Sequence, residues 1–294
     1  MKDLAESIIR GLGIGSVYAL LALGFVIIYK ATKVISFAQP AFMLAGAVLV
    51  TYLVGPLGFF VALPLAALAT GVFAMGIERV AIRPMVGKAA FVVAIITLGI
   101  DLAVRVVVNA FIGINVRYVG DPWAVKTVSV FGIAIQQRHI AMLVITAVLV
   151  TALFLFFRYA RMGLAMRAAA YDQEAALAQG VSVGAVFALS WGLAGALAAV
   201  AGTFAAVGES VNEGLWLIAL VALPVIILGG LDSLPGAVVG GLIVGVVQEL
   251  TATYQGHIQL LGANFSVITP YLVMMLVLLL RPYGLFGTRE VERV

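Results

Sequence analysis

Few residues in this chain of 294 have side chains that could do chemistry, and their spacing decides which chemistry is open to them. Asp101 and Arg105 lie four apart, which on a helix places them on one face, so they are read either as a mutual ion pair or as a charged point on a solute path. Glu249 stands beside Gln248 near the end of an apolar run and reads as interfacial. Only His139 and His257 could offer imidazole, and the absence of cysteine removes disulfides, iron–sulfur clusters and thiolate metal sites. No pair of neighbouring carboxylates and no histidine-rich cluster exists to support hydrolysis or metal catalysis, so the sequence predicts a protein that is not an enzyme and needs no cofactor. Glycines are plentiful, 32 in all, but none of their runs carries the lysine of a phosphate-binding loop, so the chain is not expected to bind ATP itself.

The elements that must position these residues are set by composition. Only 10% of the residues are charged, against roughly a quarter in soluble domains, and 64% are hydrophobic. Such a chain belongs in a bilayer, where about 20 apolar residues make one helical span. The net charge of +4 therefore reads as a marker of sidedness and not as a nucleic-acid footprint. The amino terminus has no short charged-then-apolar segment ending in a small-residue cleavage site, so a retained first span is expected.

Uncharged runs predict an all-α polytopic protein of about eight to nine spans forming one transmembrane domain, 1–294. Gly11 to Tyr29 is the first span; Val34 to Ile77 is two, divided at "GPLG"; Ala89 to Ala110, Ile140 to Phe157 and Gly184 to Gly208 follow. Leu215 to Leu250, interrupted by "GGLDSLPGA", reads as two short spans or a broken helix, and Ser266 to Leu280 is the last. Cations in Glu78 to Lys88, in Arg158, Arg161 and Arg167, and after Arg281 place those stretches in the cytoplasm. The loop 111–138 then falls outside, with a short hairpin predicted over "TVSVFGIAI", and the count puts the amino terminus outside as well.

Two further patterns bear on function. "ALLALGFVIIY" (Ala19 to Tyr29) aligns without gaps with "ALVALPVIILG" (Ala219 to Gly229), and each is followed by a serine, a proline and a small-residue helix. Either greasy helices repeat by chance or the chain is a duplicated transporter fold with broken helices. "GLAGALAAVAG" and "GAVVGGLIVG" space small residues every three or four positions, the pattern of closely packed membrane helices. Thr97, Asn109, Ser190, Trp191 and Thr203 are polar or amphipathic points that could line a path.

The stretch "RYARMGLAMRAAAYDQEAALAQGVSV" (Arg158 to Val183) is the outlier, charged and alanine-rich between two greasy runs. Arg167 to Gln179 has high helix propensity and Gly180 is a natural stop. It lacks the dense cations and bulky aromatic face of a helix lying on lipid, so a docking helix for a second protein fits it better. Arg167, Tyr171 and Glu174 would share one stripe of it, and Met166, Ala170 and Leu177 another.

This stretch resembles the cytoplasmic coupling segment of permeases of ABC importers, in the family that takes up branched-chain amino acids. "GLGIGSVYALLALGFVIIYKATKVISFAQ", "LGGLDSLPGAVVGGLIVG" and "LRPYGLFG" are similar to the same family in the same order, and the length and opening motif resemble the shorter of its two permease subunits. The resemblance implies a multi-pass protein of the bacterial inner membrane, two cytoplasmic ATPase subunits, a second permease subunit of different sequence and an external binding protein, with membrane lipid and no nucleic acid as further surroundings. It implies that Arg161, Gly163, Arg167, Asp172, Ala175, Ala176 and Gly180 meet the ATPase. One departure concerns the solute: the family's Asn-Phe-Ala-His-Gly-Glu-like run after the first span reads "SFAQPA" here, with Gln39, Pro40 and Ala41 in place of histidine, glycine and carboxylate. Branched-chain amino acids, urea, short amides and aromatic acids all stay open, with Ser36, Gln39 and Thr97 as expected path-lining residues. A stand-alone carrier driven by an ion gradient is the alternative, for which few membrane carboxylates are available.

Overall fold

The computed structural model describes residues 2–85, 87–113, 116–124, 126–130, 133–212, 214–257 and 264–288. The first helix, α1 (Lys2–Thr32), begins nine residues before the uncharged run and carries Asp3, Glu6 and Arg10 in its opening turns. The next uncharged run divides where "GPLG" predicts: α2 (Gln39–Leu57) and α3 (Phe59–Ile77) meet at Gly58, whose φ of 73° suits a residue without Cβ. α3 continues through a π turn (Glu78–Ile82) and a 3₁₀ turn (Arg83–Met85), so the stretch expected to be a loop starts as helix. α4 (Ala90–Ile112) follows.

The predicted hairpin forms from β1 (Thr127–Val130) and β2 (Ile133–Gln136), antiparallel with Val128 opposite Ile135; its turn, Phe131 and Gly132, lies outside the described residues. α5 (Gln137–Tyr159) comes next. The docking segment, read from sequence as one helix, is two, α6 (Arg161–Tyr171) and α7 (Gln173–Ala178). Asp172 breaks it with extended backbone (φ −150°, ψ 111°) and accepts the Ala175 N–H as an N-cap. Aspartate's preference for capping outweighs the alanines' preference for continuing. α8 (Val183–Ala205), α9 (Leu215–Gly229), α10 (Leu234–Tyr254) and α11 (Phe265–Leu280) complete the chain. α1, α2, extended α3, α4, α5, α8 and α10 are long and apolar enough to span a bilayer, and α9 and α11 are shorter apolar helices. The chain is a polytopic helical membrane protein.

The chain forms two compact units. One comprises Ile27–Pro122 and Ala147–Trp216. Here α8 packs against α2 and α3, and small residues set the spacing: a Cβ on Gly71 would lie 2.8 Å from the Gly192 carbonyl, and one on Gly195 3.0 Å from that of Thr70. Phe42 stands edge-on to Trp191 and to Phe73 at 6.1 and 6.3 Å. The other unit comprises Met1–Val26, Trp123–Thr146 and Leu217–Val294. α1 and α10 meet through glycines there: a Cβ on Gly241 would lie 2.6 Å from the Ala19 nitrogen, and one on Gly15 2.7 Å from the Gly241 carbonyl. The small-residue pattern therefore serves close helix packing, as its spacing predicts.

The repeated sequence has a local structural counterpart. α1 ends at a left-handed Lys33 (φ 57°), and a serine-containing bend leads to α2 with proline in its first turn; α9 ends at Gly230 (φ 108°), and Ser233 caps α10, also with proline in its first turn. The final "LRPYGLFG" folds back on this second bend, Leu285 and Phe286 N–H donating to the Leu228 and Gly229 carbonyls at 2.8 and 3.0 Å.

Candidate functional site

The bend between α1 and α2 holds a buried polar cluster. Ser36, Gln39 and Thr97 are all fully buried. Pro40 sits in the first turn of α2, where its missing N–H costs nothing and its fixed φ favours a helix start. Thr97, on α4, accepts the Phe37 N–H at 3.0 Å and donates to the Ala94 carbonyl at 2.8 Å, so it holds the backbone between Ser36 and Gln39. The three residues singled out from sequence thus come together. Ser36 Oγ lies 3.4 Å from the Ala38 nitrogen, a weak local bond. Gln39 differs from Ser36 and Thr97: among the described residues neither its Oε1 nor its Nε2 has a partner. Burying an amide without a partner costs about 1–3 kcal/mol.

One turn further along α4, Asp101 Oδ2 accepts from Arg105 Nε at 2.8 Å and Nη2 at 2.7 Å, and the guanidinium lies 5.2 Å from the Trp216 ring centre. The pairing reading of these charges describes what forms. Ser190 and Thr203 donate to the Val186 and Ala199 carbonyls of their own helix, and Trp191 packs on Phe42. These three belong to the packing of α8.

The docking segment presents two faces. Arg161, Arg167, Asp172, Ala175 and Gly180 are exposed, whereas Gly163 and Ala176 are buried. A Cβ on Gly163 would lie 2.8 Å from the Cα of Phe157, so this glycine seats α6 on the end of α5. Because α6 and α7 are separate helices, the expected continuous stripes do not form: Met166 and Ala169 face inward, while Leu164, Tyr171 and Leu177 are exposed. Tyr171 is 96% exposed, the largest value among the exposed large hydrophobic side chains.

Over residues 7–280 the chain matches the family described as branched-chain amino acid transport system, permease component. It is 30% identical to the high-affinity branched-chain amino acid transport system permease protein LivH of Salmonella typhimurium and of Escherichia coli, covering 98% of this chain and 97% of each relative. It is 29% identical to the permease protein BraD of Pseudomonas aeruginosa at the same coverage. The chain belongs to this permease family. Its fold is similar to a solved structure, PsaBC from Streptococcus pneumoniae in complex with Fab, with a TM-score of 0.52 at 12% identity over 92% of this chain and 89% of that one. Like LivH, the permease is of the shorter kind and is a multi-pass subunit of an ABC transport system.

Three residues of the permease that tie its docking segment in place were not singled out from sequence. Gln173, the first residue of α7, donates its Nε2 to the Ala31 carbonyl at 2.9 Å. Arg83 donates to both carboxylate oxygens of Glu78, at 3.1 and 3.0 Å, and to the Gly184 carbonyl at 2.7 Å, at the point where the docking segment enters α8. Glu78 is fully buried. The two charges are five apart in sequence, a spacing that an α-helix does not bring together. The π turn Glu78–Ile82 adds the extra residue that aligns i with i+5. A Glu followed five residues later by Arg in a stretch flanked by apolar helix is the signal that could have exposed the pair.

Proposed function

We propose that this permease forms the solute path of a binding-protein-dependent importer for a branched-chain amino acid or a related small solute such as urea, a short amide or an aromatic acid. Two cytoplasmic ATPase subunits hydrolyse ATP and dock on 158–183, a second permease subunit of different sequence completes the path, and an external binding protein delivers the solute at the side of the 111–138 loop. Arg161, Arg167, Asp172, Ala175 and Gly180 form the docking face, while Gly163 and Ala176 hold it on the transmembrane helices. Ser36, Gln39 and Thr97 face the path when the bend between α1 and α2 opens. The observation that carries the docking is the exposure of Leu164, Tyr171 and Leu177 on short helices between two spans, where apolar side chains in water gain most from a protein partner.

The test is purification of the tagged permease from its native membrane in mild detergent, with partners identified by mass, followed by uptake of leucine, urea and benzoate into vesicles. Recovery of ATPase subunits and a second permease is expected. Replacing Arg167 and Asp172 together by leucine should abolish uptake. Unchanged uptake in that variant with ATPase subunits still bound refutes the docking assignment, and recovery of the chain alone with uptake driven by an ion gradient refutes the importer.

A further inference from the structure

The contact from Gln173 to Ala31 joins the docking segment to the bend that holds the polar cluster. Ala31 lies in the last turn of α1, whose terminal carbonyls have no helical partner, so the Gln173 amide caps one of them from a distant element. Two residues later the chain turns at the left-handed Lys33, and Ser36 and Gln39 follow within eight residues of Ala31. On the other side of the contact, Asp172 separates α7 from α6, so α7 is a six-residue helix with its own start. Arg83 fixes the segment's exit at Gly184, and Gly163 seats its beginning on α5. α7 is the part between these two fixed points. A cavity of about 80 Å³, bordered by Thr32, Val34, Ile82, Lys88 and Gln173, adjoins the contact. It leaves open space beside the Gln173 side chain.

We infer that Gln173 is a positioning residue that converts displacement of α7 into movement of the Ser36–Gln39 bend, through its bond to the Ala31 carbonyl. This rests on 158–183 being the surface where the ATPase docks. ATP-driven movement of α7 pulls on the last turn of α1, and the strained Lys33 backbone is where that turn meets the bend. A side-chain bond is the coupling element, so its reach and its donor both matter: a shorter amide cannot span the gap, and a carboxylate repels the carbonyl.

The chain contains no cysteine, so labelling read on this chain, separated from its partners on a denaturing gel, comes from the one introduced thiol. The experiment uses the complete complex in liposomes, with Ser36→Cys as reporter, and reads the rate of N-ethylmaleimide labelling with and without ATP. In the parent, ATP should change the rate. In Gln173→Glu and Gln173→Asn that ATP-dependent ratio should shrink about fivefold, at the lower end of site-to-site coupling, while bound ATPase subunits and ATP hydrolysis persist. Gln173→Lys, which restores a donor of sufficient reach, should restore the ratio. A role limited to capping α1 would lower thermal stability and leave the ratio alone. Val34→Cys is the second reporter if Ser36→Cys fails to assemble. An unchanged ratio in Gln173→Glu overturns the inference and leaves the docking assignment standing. ATP altering labelling at neither reporter while ATPase subunits are bound likewise overturns the inference alone; if the parent complex binds no ATPase, the docking assignment falls and this inference with it.

Discussion

Removing the Arg83 side chain should expose how the docking segment is anchored. Glu78 is fully buried, and among the described residues its carboxylate is held by Arg83 alone. Breaking a buried pair from one side typically costs about 3–5 kcal/mol, because the charge left behind has no partner. Arg83 also satisfies the Gly184 carbonyl, whose loss adds about 1 kcal/mol. The Arg83 side chain is 33% exposed, so water can enter where it stood, and the low end of the pair term applies: with the Gly184 bond, about 4 kcal/mol in all for Arg83→Ala. At about 2 °C per kcal/mol for a chain of this size, that is a fall in Tm of about 8 °C. Thermal unfolding of the detergent-purified permease, followed by tryptophan emission, is a suitable assay, since Trp191 lies buried on α8, the helix that Gly184 begins. The decisive comparison is the same substitution in a Glu78→Gln background. With no buried charge to orphan, Arg83→Ala should there cost only about 1 kcal/mol, the Gly184 bond. Equal losses in both backgrounds, within about 0.5 kcal/mol, would refute the pair as the anchor.

Three other substitutions separate roles that proximity alone confuses. Gln39→Leu removes an unpartnered buried amide and should raise stability by about 1 kcal/mol while altering leucine uptake; a fall in Tm would make the amide structural. Gly241→Val would push a side chain into the Ala19 backbone and should cost about 1–3 kcal/mol, seen as loss of monodisperse protein on size exclusion, whereas Gly76→Ala, with open space around it, should gain up to about 1 kcal/mol. Asp172→Ala should cost about 1 kcal/mol through the lost cap, and Asp172→Asn should keep the cap; ATPase co-purification lost in Asp172→Asn would show that the charge itself is recognised.

Apolar run lengths, the Gly58 break and the hairpin were legible because each depends on neighbours in sequence. Ser36, Gln39 and Thr97 could be singled out because polar residues are rare in these apolar runs, although the bond from the Phe37 N–H to Thr97 could not be foreseen. Three features were hidden for definite reasons. The Glu78 and Arg83 pair depends on a π turn, and five-residue spacing carries no meaning in an α-helical reading. The Asp172 break was masked by flanking alanines, whose summed propensity favours one long helix over a cap. The division of the docking motif into Gly163 and Ala176 facing inward and the charged residues facing outward follows from that break, since each helix turns its own small residues to the protein.

The distribution of polar satisfaction then bears on mechanism. In an apolar solvent a buried charge must be paired, and the described residues pair theirs: Glu78 with Arg83, Asp101 with Arg105, and Arg10 with both Glu6 and Glu249 across α1 and α10. Ser190 and Thr203 satisfy their hydroxyls on their own helix. Gln39 is fully buried with both ends unpaired among the described residues, as are the two ring nitrogens of His139, and it stands at the start of a helix, beside the left-handed Lys33. An amide buried without partners costs about 1–3 kcal/mol, which a bound water or a polar solute at this bend would offset. The Gln173 bond to Ala31 ends one helical turn before this bend, which is why the Gln173 substitutions test it directly.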